Sequence, residues 1–224
     1  MSMKAKMLRA LGGVLLKEAR VVSAEDVSPG FRKLVLRGES VSAPEPGSKI
    51  QILVPGDEVR TYTPIASGDT LVLLGARHAG GPGAAWIGAA QVGEGVQFVG
   101  PQRSLSLPAG PVIMVGDETS VAVAASFEAA RPGQVHGIFA ARDPEATRLA
   151  AQSVGLERAQ ALPASDLSGV VEAVGVARGE RPGAAVAITG GSELVVAVRA
   201  ALRNAGVGEL KTKAYWIPGR AGLD

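Results

Sequence analysis

The chain is poor in cysteine, histidine and aromatic residues. Its 224 residues include no Cys, two His, two Trp, two Tyr and four Phe. The lack of cysteine excludes disulfides, iron–sulfur clusters, thiolate-bound haem and a cysteine nucleophile. His78 and His136 have no constellation of carboxylates around them in the sequence, so we expect no metal site. Redox chemistry in this protein therefore requires an organic cofactor.

Charge of one sign and long apolar runs are also scarce. The 23 basic and 21 acidic residues are interleaved and give a net charge of +2, so no nucleic-acid partner is expected. No segment approaches the ~20 apolar residues of a membrane-spanning helix. The short apolar run 11–16 is followed by Lys17 and Glu18, which is not typical of a signal peptide. Residues 7–15 instead predict a short amphipathic helix, and we expect a cytoplasmic protein without stable membrane insertion.

The first part of the chain has short apolar runs between frequent Gly, Pro, Asp and Ser residues. This texture is typical of β-strands joined by tight turns. Strands are predicted at 18–24, 31–36, 49–54, 59–63, 70–76 and 95–99, and one helix at 84–91. Six short strands predict a six-stranded antiparallel β-barrel or sandwich.

From residue 112 onward the predicted elements alternate between strand and helix. Strands are predicted at 112–115, 135–141, 159–162, 184–189 and 210–216, and helices at 120–130, 144–154, 167–176 and 192–205. Apolar strands between helices predict a parallel sheet covered on both faces. We place the boundary near Pro108, which gives a barrel domain at 1–108 and an α/β domain at 109–224. By analogy, this order suggests a flavin domain followed by a nicotinamide domain.

A cluster of Arg, Tyr and Thr side chains lies on the fourth predicted strand. Because side chains alternate along a strand, we expect Thr61 and Thr63 to share one face and Arg60 and Tyr62 the other. Tyr62 can stack on a flavin ring, Thr63 can hydrogen-bond its N5 edge, and Arg60 can bind a diphosphate. An exposed strand of ordinary β-forming residues explains the same four residues.

A glycine-rich segment follows the next strand and leads into the predicted helix. Without β-carbons a diphosphate can approach the backbone closely, and the start of the helix offers free N–H groups. A flexible turn before a helix is the alternative. His78, just before the segment, can cover an adenine or ribose or simply be a solvated loop residue. The candidate phosphate-binding residues are Gly81, Pro82, Gly83, Ala84 and Ala85.

Two further glycine-containing turns lie where predicted parallel strands end and helices begin, which is the edge at which such sheets bind ligands. Capping of the helices by Thr119, Ser120 or Ser192 explains both turns equally well. Trp216 closes the final strand, where it is either a core residue or a lid over the flavin. The candidate nicotinamide-coenzyme residues are Gly116, Asp117, Glu118, Thr119, Gly190, Gly191 and Glu193.

With these motifs in their order along the chain, the sequence resembles the siderophore-interacting, FAD-binding ferric reductase family, within the ferredoxin reductase-like flavoproteins. The resemblance spans essentially the whole chain. It implies a cytoplasmic enzyme that takes hydride from NADPH or NADH onto FAD and passes electrons to ferric iron held in a siderophore or other ferric chelate. It also implies that no protein side chain transfers a proton, since the flavin performs the chemistry.

Residue by residue, the resemblance places FAD on the four-residue cluster, His78 and the glycine-rich segment. It places the nicotinamide coenzyme at the two later turns and Trp216 near the flavin ring. The chain departs from the family where Pro64 follows Thr63 and where Ile217 follows Trp216, since the family commonly has arginines at both places. Arg103 and Arg220 are then the basic residues expected to attract an anionic ferric complex.

Two alternatives remain open at this level. One is an NAD(P)H:flavin oxidoreductase of the same architecture with another electron acceptor, such as a soluble electron carrier or a quinone. The other is a flavin- or siderophore-binding protein without turnover, because Asp117 and Glu118 would repel a phosphate and no GxGxxG motif is present. The choice between NADPH and NADH, the particular siderophore and the oligomeric state are not encoded in any motif of this chain.

Overall fold

The computed structural model describes residues 16–39, 41–77 and 80–219. The chain divides into two compact units, residues 1–104 and 105–224. The sequence places the boundary slightly later, at Pro108. The amphipathic helix predicted at 7–15 lies outside the described residues. Within the described part of the chain, no helix is long and apolar enough to cross a membrane.

The described part of the first unit consists of an antiparallel sheet and one helix. The sheet order is β4-β3-β7-β1-β2-β6-β5, and every pairing in it is antiparallel. The elements are β1 (Lys17–Ser28), β2 (Phe31–Arg37), β3 (Ser48–Val54), β4 (Glu58–Tyr62), β5 (Ile65–Ser67), β6 (Thr70–Ala76), α1 (Gly81–Ala89) and β7 (Gly95–Arg103).

The connection between β4 and β5 shows that this sheet curls into a barrel. These two strands are the opposite edges of the sheet, yet only Thr63 and Pro64 separate them in sequence. The three Cα–Cα steps from Tyr62 to Ile65 span at most about 11 Å, so the two edges are drawn together around the core. The predicted antiparallel barrel is confirmed, but the count of six strands is wrong because β5 makes seven. Pro64 marks a break in the sequence pattern, and the short β5 beyond it gives too little signal to be recognised.

The second unit is a five-stranded parallel sheet with helices between its strands, as the sequence predicts. The sheet order is β10-β9-β8-β11-β12, and each pairing is parallel. The strands are β8 (Val112–Gly116), β9 (Val135–Ala141), β10 (Gln160–Pro163), β11 (Ala185–Gly191) and β12 (Leu210–Trp216). A 3₁₀ turn at Glu118–Ser120 leads into α2 (Val121–Ala130), and the later helices are α3 (Pro144–Gln152), α4 (Leu167–Glu180) and α5 (Ser192–Asn204).

The strand order of the second unit reverses at β8. From β8 the chain moves to β9 and β10 on one side, and then crosses to β11 and β12 on the other. All residues of β8 and β9 are buried, as expected for central strands covered on both faces. In sheets of this kind the ligand crevice lies at the carboxyl ends of the strands where the order reverses. Here that place is the edge formed by the ends of β8 and β11.

Arg131 explains why the residues before Pro108 belong to the second unit. Its guanidinium donates hydrogen bonds to the carbonyl oxygens of Pro108, at 2.7 Å, and Leu107, at 3.2 Å. The same group lies 5.5 Å from the centre of the Phe127 ring on α2. Leu105 is itself buried. The segment that leads into β8 is therefore fastened to α2.

Candidate functional site

Strand β4 directs Arg60 and Tyr62 toward the inside of the barrel. In the ladder with β3, Arg60 lies opposite Ile52 and Tyr62 opposite Ile50. Residues that face each other across a ladder point to the same side of the sheet, and both isoleucines are fully buried. The two side chains therefore share a face, as the alternation of a strand requires.

Thr61 and Thr63 differ in their exposure, although the sequence predicts that they share one face of the strand. Thr61 is exposed, whereas Thr63 is buried. The difference arises because β4 ends at Tyr62, so the alternation no longer applies at Thr63. Pro64, which lacks an N–H to donate to a ladder, follows directly. Thr61 thus lies on the outside of the barrel.

The Tyr62 side chain is held by the protein itself. Its hydroxyl donates a hydrogen bond of 2.9 Å to the carbonyl oxygen of Gly83, and its ring meets Trp86 edge to face at 5.5 Å. Burial raises the pKa of Tyr62, and nearby Arg60 offsets only part of that rise. Tyr62 therefore links β4 to α1 through its contacts with Gly83 and Trp86.

Replacing Tyr62 with Phe is expected to change the stability of the protein and its response to alkaline pH. Loss of the bond to Gly83 should cost about 1 kcal/mol at neutral pH. Because the folded-state pKa lies above the ordinary value of about 10, the stabilisation is complete below about pH 10 and is lost as the pH rises further. The difference between wild type and Y62F should therefore shrink above about pH 10. Urea unfolding between about pH 7 and pH 11 measures it; a difference that stays constant over this range contradicts the assignment.

Arg60 lies beside the start of α1. Its Nη1 atom donates to Glu58 Oε2 at 2.8 Å and to the Val59 carbonyl oxygen at 2.7 Å. A β-carbon built on Gly83 would lie only 3.3 Å from Arg60 Cγ, so the arginine stem packs against the first turn of the helix. The Glu58 contact was missed in the sequence, although its spacing of two residues on one strand puts both side chains on one face.

Helix α1 begins at Gly81, earlier than the predicted start at residue 84. The earlier start is possible because Pro82 fits the first turn of a helix. Gly80 and Gly81 have φ angles of 68° and 81°, and a β-carbon on either would meet nothing within 4 Å. Among the residues that the structure describes, no side chain caps the helix. This helix start is therefore an open, glycine-lined backbone surface with Arg60 beside it. The other predicted phosphate-binding residues, Gly83, Ala84 and Ala85, form its first turns.

In the second unit Asp117 occupies the edge where the strand order reverses. Its Oδ1 atom accepts hydrogen bonds from Thr119 N at 2.9 Å and Thr119 Oγ1 at 2.5 Å. Its Oδ2 atom accepts from Gly191 N at 2.7 Å and from Trp216 Nε1 at 3.0 Å. Asp117, rather than Thr119 or Ser120, caps the 3₁₀ turn. One carboxylate thus joins the ends of β8, β11 and β12.

Glu118 is also directed inward. It is buried, and its Oε1 atom accepts a 2.7 Å hydrogen bond from the backbone N–H of Arg142, just after β9. Glu193 is instead exposed, in the first turn of α5. Ser192 is the first residue of α5 and does not cap it. Asp117 and Glu118 therefore accept hydrogen bonds from other parts of the protein.

Glycines 190 and 191 leave room for these contacts. A β-carbon on Gly190, whose φ is 114°, would lie 2.5 Å from Asp117 Oδ2. A β-carbon on Gly191 would lie 2.6 Å from Trp216 Cζ2. Both glycines are thus required by the protein's own side chains, a role that the sequence does not reveal.

Gly116 has a similar packing role beneath α2. A β-carbon there would collide with the Ser120 side chain and lie 2.7 Å from the carbonyl oxygen of Thr189. Ser120 and Thr189 are both fully buried. Gly116 therefore permits close packing of the first turn after β8 against β11.

The remaining predicted site residues lie at the surface or outside the described residues. Arg103 is exposed and pairs with Glu45 Oε2 at 2.8 Å. Trp216 keeps 41% of its surface exposed. His78 and Arg220 lie outside the described residues. Arg60 and the first turn of α1 form one group in the first unit, and Asp117, Thr119, Gly190, Gly191 and Trp216 form another in the second.

No protein-family profile matches the chain, and no curated protein sequence matches it either. Solved structures do match. A siderophore utilization protein from T. fusca is 18% identical with a TM-score of 0.69, over 93% of this chain and 95% of that one. The siderophore-interacting protein SipS from Aeromonas hydrophila is 21% identical with a TM-score of 0.69, over 92% and 93%. Ferredoxin-NADP⁺ reductase from Plasmodium falciparum is 12% identical with a TM-score of 0.66, over 88% and 95%.

These likenesses establish the fold. The chain has the ferredoxin reductase-like fold, with an antiparallel barrel followed by a parallel α/β unit. The predicted resemblance to siderophore-interacting proteins and ferredoxin reductase-like flavoproteins is confirmed as a likeness of structure. At these identities it concerns architecture, and function has to be argued from the sites.

Proposed function

We propose that the protein is an FAD-dependent oxidoreductase that takes hydride from NADPH or NADH and reduces ferric iron held in a siderophore. The observation that carries this proposal is the uncapped, glycine-lined start of α1 with Arg60 packed beside it. Backbone N–H groups at a helix start together with a guanidinium are suited to a diphosphate. FAD joins such a diphosphate to a flat redox ring.

The residues of the first unit fit this cofactor. Gly80 and Gly81 offer open backbone without β-carbons, and Arg60 adds positive charge next to the first turn. Thr63, next to Tyr62, offers a hydroxyl for the ring, whereas Thr61 lies on the opposite face of the strand. When bound, FAD accepts a hydride and passes on its electrons one at a time. The protein's task is to hold and orient it.

The second unit is suited to the nicotinamide coenzyme. The ends of β8 and β11 form the edge where doubly wound sheets bind nucleotides. Here Asp117 braces the backbone of Gly191 and the indole of Trp216. The exposed face of that indole offers a flat apolar surface to an aromatic ring.

Two observations support ferric siderophore as the electron acceptor. Similar folds with similar coverage include a siderophore utilization protein and a siderophore-interacting protein. Arg103, with a side chain 70% exposed, can exchange its partner Glu45 for an anionic chelate. One NAD(P)H delivers two electrons, so each turnover converts two Fe(III) to two Fe(II) and yields NAD(P)⁺ and a proton.

An anaerobic assay of ferrous iron tests this proposal. The FAD-loaded protein is mixed with NADPH or NADH, a ferric siderophore and a ferrous-specific chelator. We expect about two ferrous ions per coenzyme oxidised and no ferrous iron without the protein. A control with coenzyme, free FAD and the ferric siderophore but without the protein measures the background. Coenzyme oxidation that proceeds without any ferrous product contradicts iron reduction.

A second candidate is a flavin reductase with a protein electron carrier as acceptor. The likeness to a ferredoxin-NADP⁺ reductase favours it. The same assay separates the two candidates when ferredoxin or a quinone replaces the ferric siderophore. Reduction of those acceptors together with indifference to iron selects the second candidate.

A further inference from the structure

Asp117 makes an unusual set of contacts for an acid at a ligand-binding edge. Its carboxylate is 6% exposed and accepts four hydrogen bonds from Thr119, Gly191 and Trp216. Gly191 and Trp216 are separated from it by 74 and 99 residues. Hydrogen bonds to an ionised carboxylate are stronger than neutral ones. This single side chain therefore sets the relative positions of three strand ends.

These contacts also determine what can approach the edge. Thr119 N and Gly191 N would be donors for an incoming phosphate at the two turns, but the Asp117 carboxylate already occupies both. A second anion close to this buried charge would be repelled. The part of a coenzyme that faces Asp117 is therefore a ring without negative charge rather than the diphosphate.

The Trp216 indole is the group that Asp117 holds most visibly. Its N–H is bound to Oδ2, one edge of its ring lies where a β-carbon on Gly191 would be, and 41% of the residue is exposed. An exposed indole on an edge strand would otherwise be free to change rotamer. The bond to Asp117 and the close approach to Gly191 fix the plane of its ring.

We propose that Asp117 is a positioning residue, which orients Trp216 as a fixed flat surface for the nicotinamide ring of the coenzyme. This inference rests on the proposed use of NADPH or NADH. It assigns Asp117 to holding the ring surface rather than to binding phosphate. The inference also explains why residue 191 is glycine, since a β-carbon there would lie 2.6 Å from Trp216 Cζ2.

The indole N–H resonance of Trp216 tests the inference without any turnover. The chain has two tryptophans, so a ¹⁵N-labelled sample gives two indole signals, and the variant W216F assigns one of them. In D117N the amide presents N–H groups toward donors, so the Trp216 signal should shift upfield and its N–H should exchange faster with solvent. The exposed acid Glu209, just before β12, gives the control E209Q, which should leave the signal in place.

Coenzyme binding provides the second readout. Titration with NADP⁺ or NAD⁺ should move the Trp216 indole signal in the wild type and move it less in D117N. In the FAD-loaded protein, D117N should slow flavin reduction at saturating coenzyme by about 10-fold or more, counted per folded molecule. A role in folding alone would lower stability and leave that rate unchanged. If D117N does not fold, W216F, which keeps an aromatic ring but loses the bond to Asp117, takes its place in the measurement of flavin reduction.

The outcomes separate this inference from the proposed function. A Trp216 signal that ignores both coenzymes, or D117N and W216F proteins with wild-type reduction rates, overturns the positioning role even if the enzyme is an active reductase. A signal that responds to coenzyme in wild type and not in D117N supports the role, even if ferric siderophore proves not to be the acceptor.

Discussion

Replacing Arg60 with alanine is expected to weaken FAD binding by about 10- to 100-fold. Arg60 is the cation beside the uncapped start of α1, and a hydrogen bond to a charged group contributes about 1.5 to 3 kcal/mol. The loss should raise the dissociation constant for FAD without unfolding the barrel, because the Arg60 side chain is 24% exposed and is not part of the apolar core. Calorimetric titration of the cofactor-free protein with FAD measures the effect.

The matched control for this change is Arg37→Ala. Arg37 lies at the end of β2 in the same unit, its side chain is 58% exposed and it pairs with Asp69 at 3.3 Å. Its loss removes the same charge far from α1 in sequence and on another strand. We expect R37A to bind FAD like the wild type. Equal affinities of R60A, R37A and wild type would show that the diphosphate is not held at α1.

Replacing Gly190 with alanine is expected to destabilise the second unit by about 2 to 4 kcal/mol. The φ angle of 114° is strained for any residue with a β-carbon, and that carbon would lie 2.6 Å from Asp117 Cγ. Relief requires Asp117 to move, which breaks its bonds to Gly191 and Trp216. Urea unfolding followed by tryptophan fluorescence measures the loss.

Gly183→Ala separates the two causes of that loss. Gly183 also has a positive φ angle, 79°, but a β-carbon there would meet nothing within 4 Å. We expect G183A to cost about 1 kcal/mol from backbone strain alone. If G190A and G183A lose the same stability, crowding of Asp117 makes no contribution and the bracing role of this carboxylate is contradicted.

Local sequence patterns are sufficient to predict most of the fold of this chain. The alternation of strand and helix after residue 112 predicts the parallel sheet, because apolar runs between capped helices have few other solutions. The barrel is likewise predicted from its turn residues. Strand β5 was missed because Pro64 precedes only three paired residues. The start of α1 was placed too late because Gly81 and Pro82 resemble a loop as much as a first helical turn.

The positions of the two glycine turns in the sheet could be predicted from the sequence, but their contacts could not. Strand ends of a parallel sheet meet at one edge, so the two glycine turns could be assigned to it from sequence. The contacts of Asp117 could not, because they join residues 74 and 99 positions apart. The same holds for Tyr62, whose hydroxyl binds a carbonyl on a helix 21 positions later. Such pairings depend on how elements pack, which a single sequence does not specify.

The response of bound flavin to coenzyme tests whether the protein transfers hydride from NADPH or NADH to FAD. The protein is loaded with FAD and mixed anaerobically with NADPH and, separately, with NADH, while absorbance at about 450 nm, the region of oxidised flavin, is recorded. We expect this absorbance to bleach with at least one of the two coenzymes. A protein that takes up no FAD, or an FAD-loaded protein that keeps its full absorbance with both coenzymes, would contradict it.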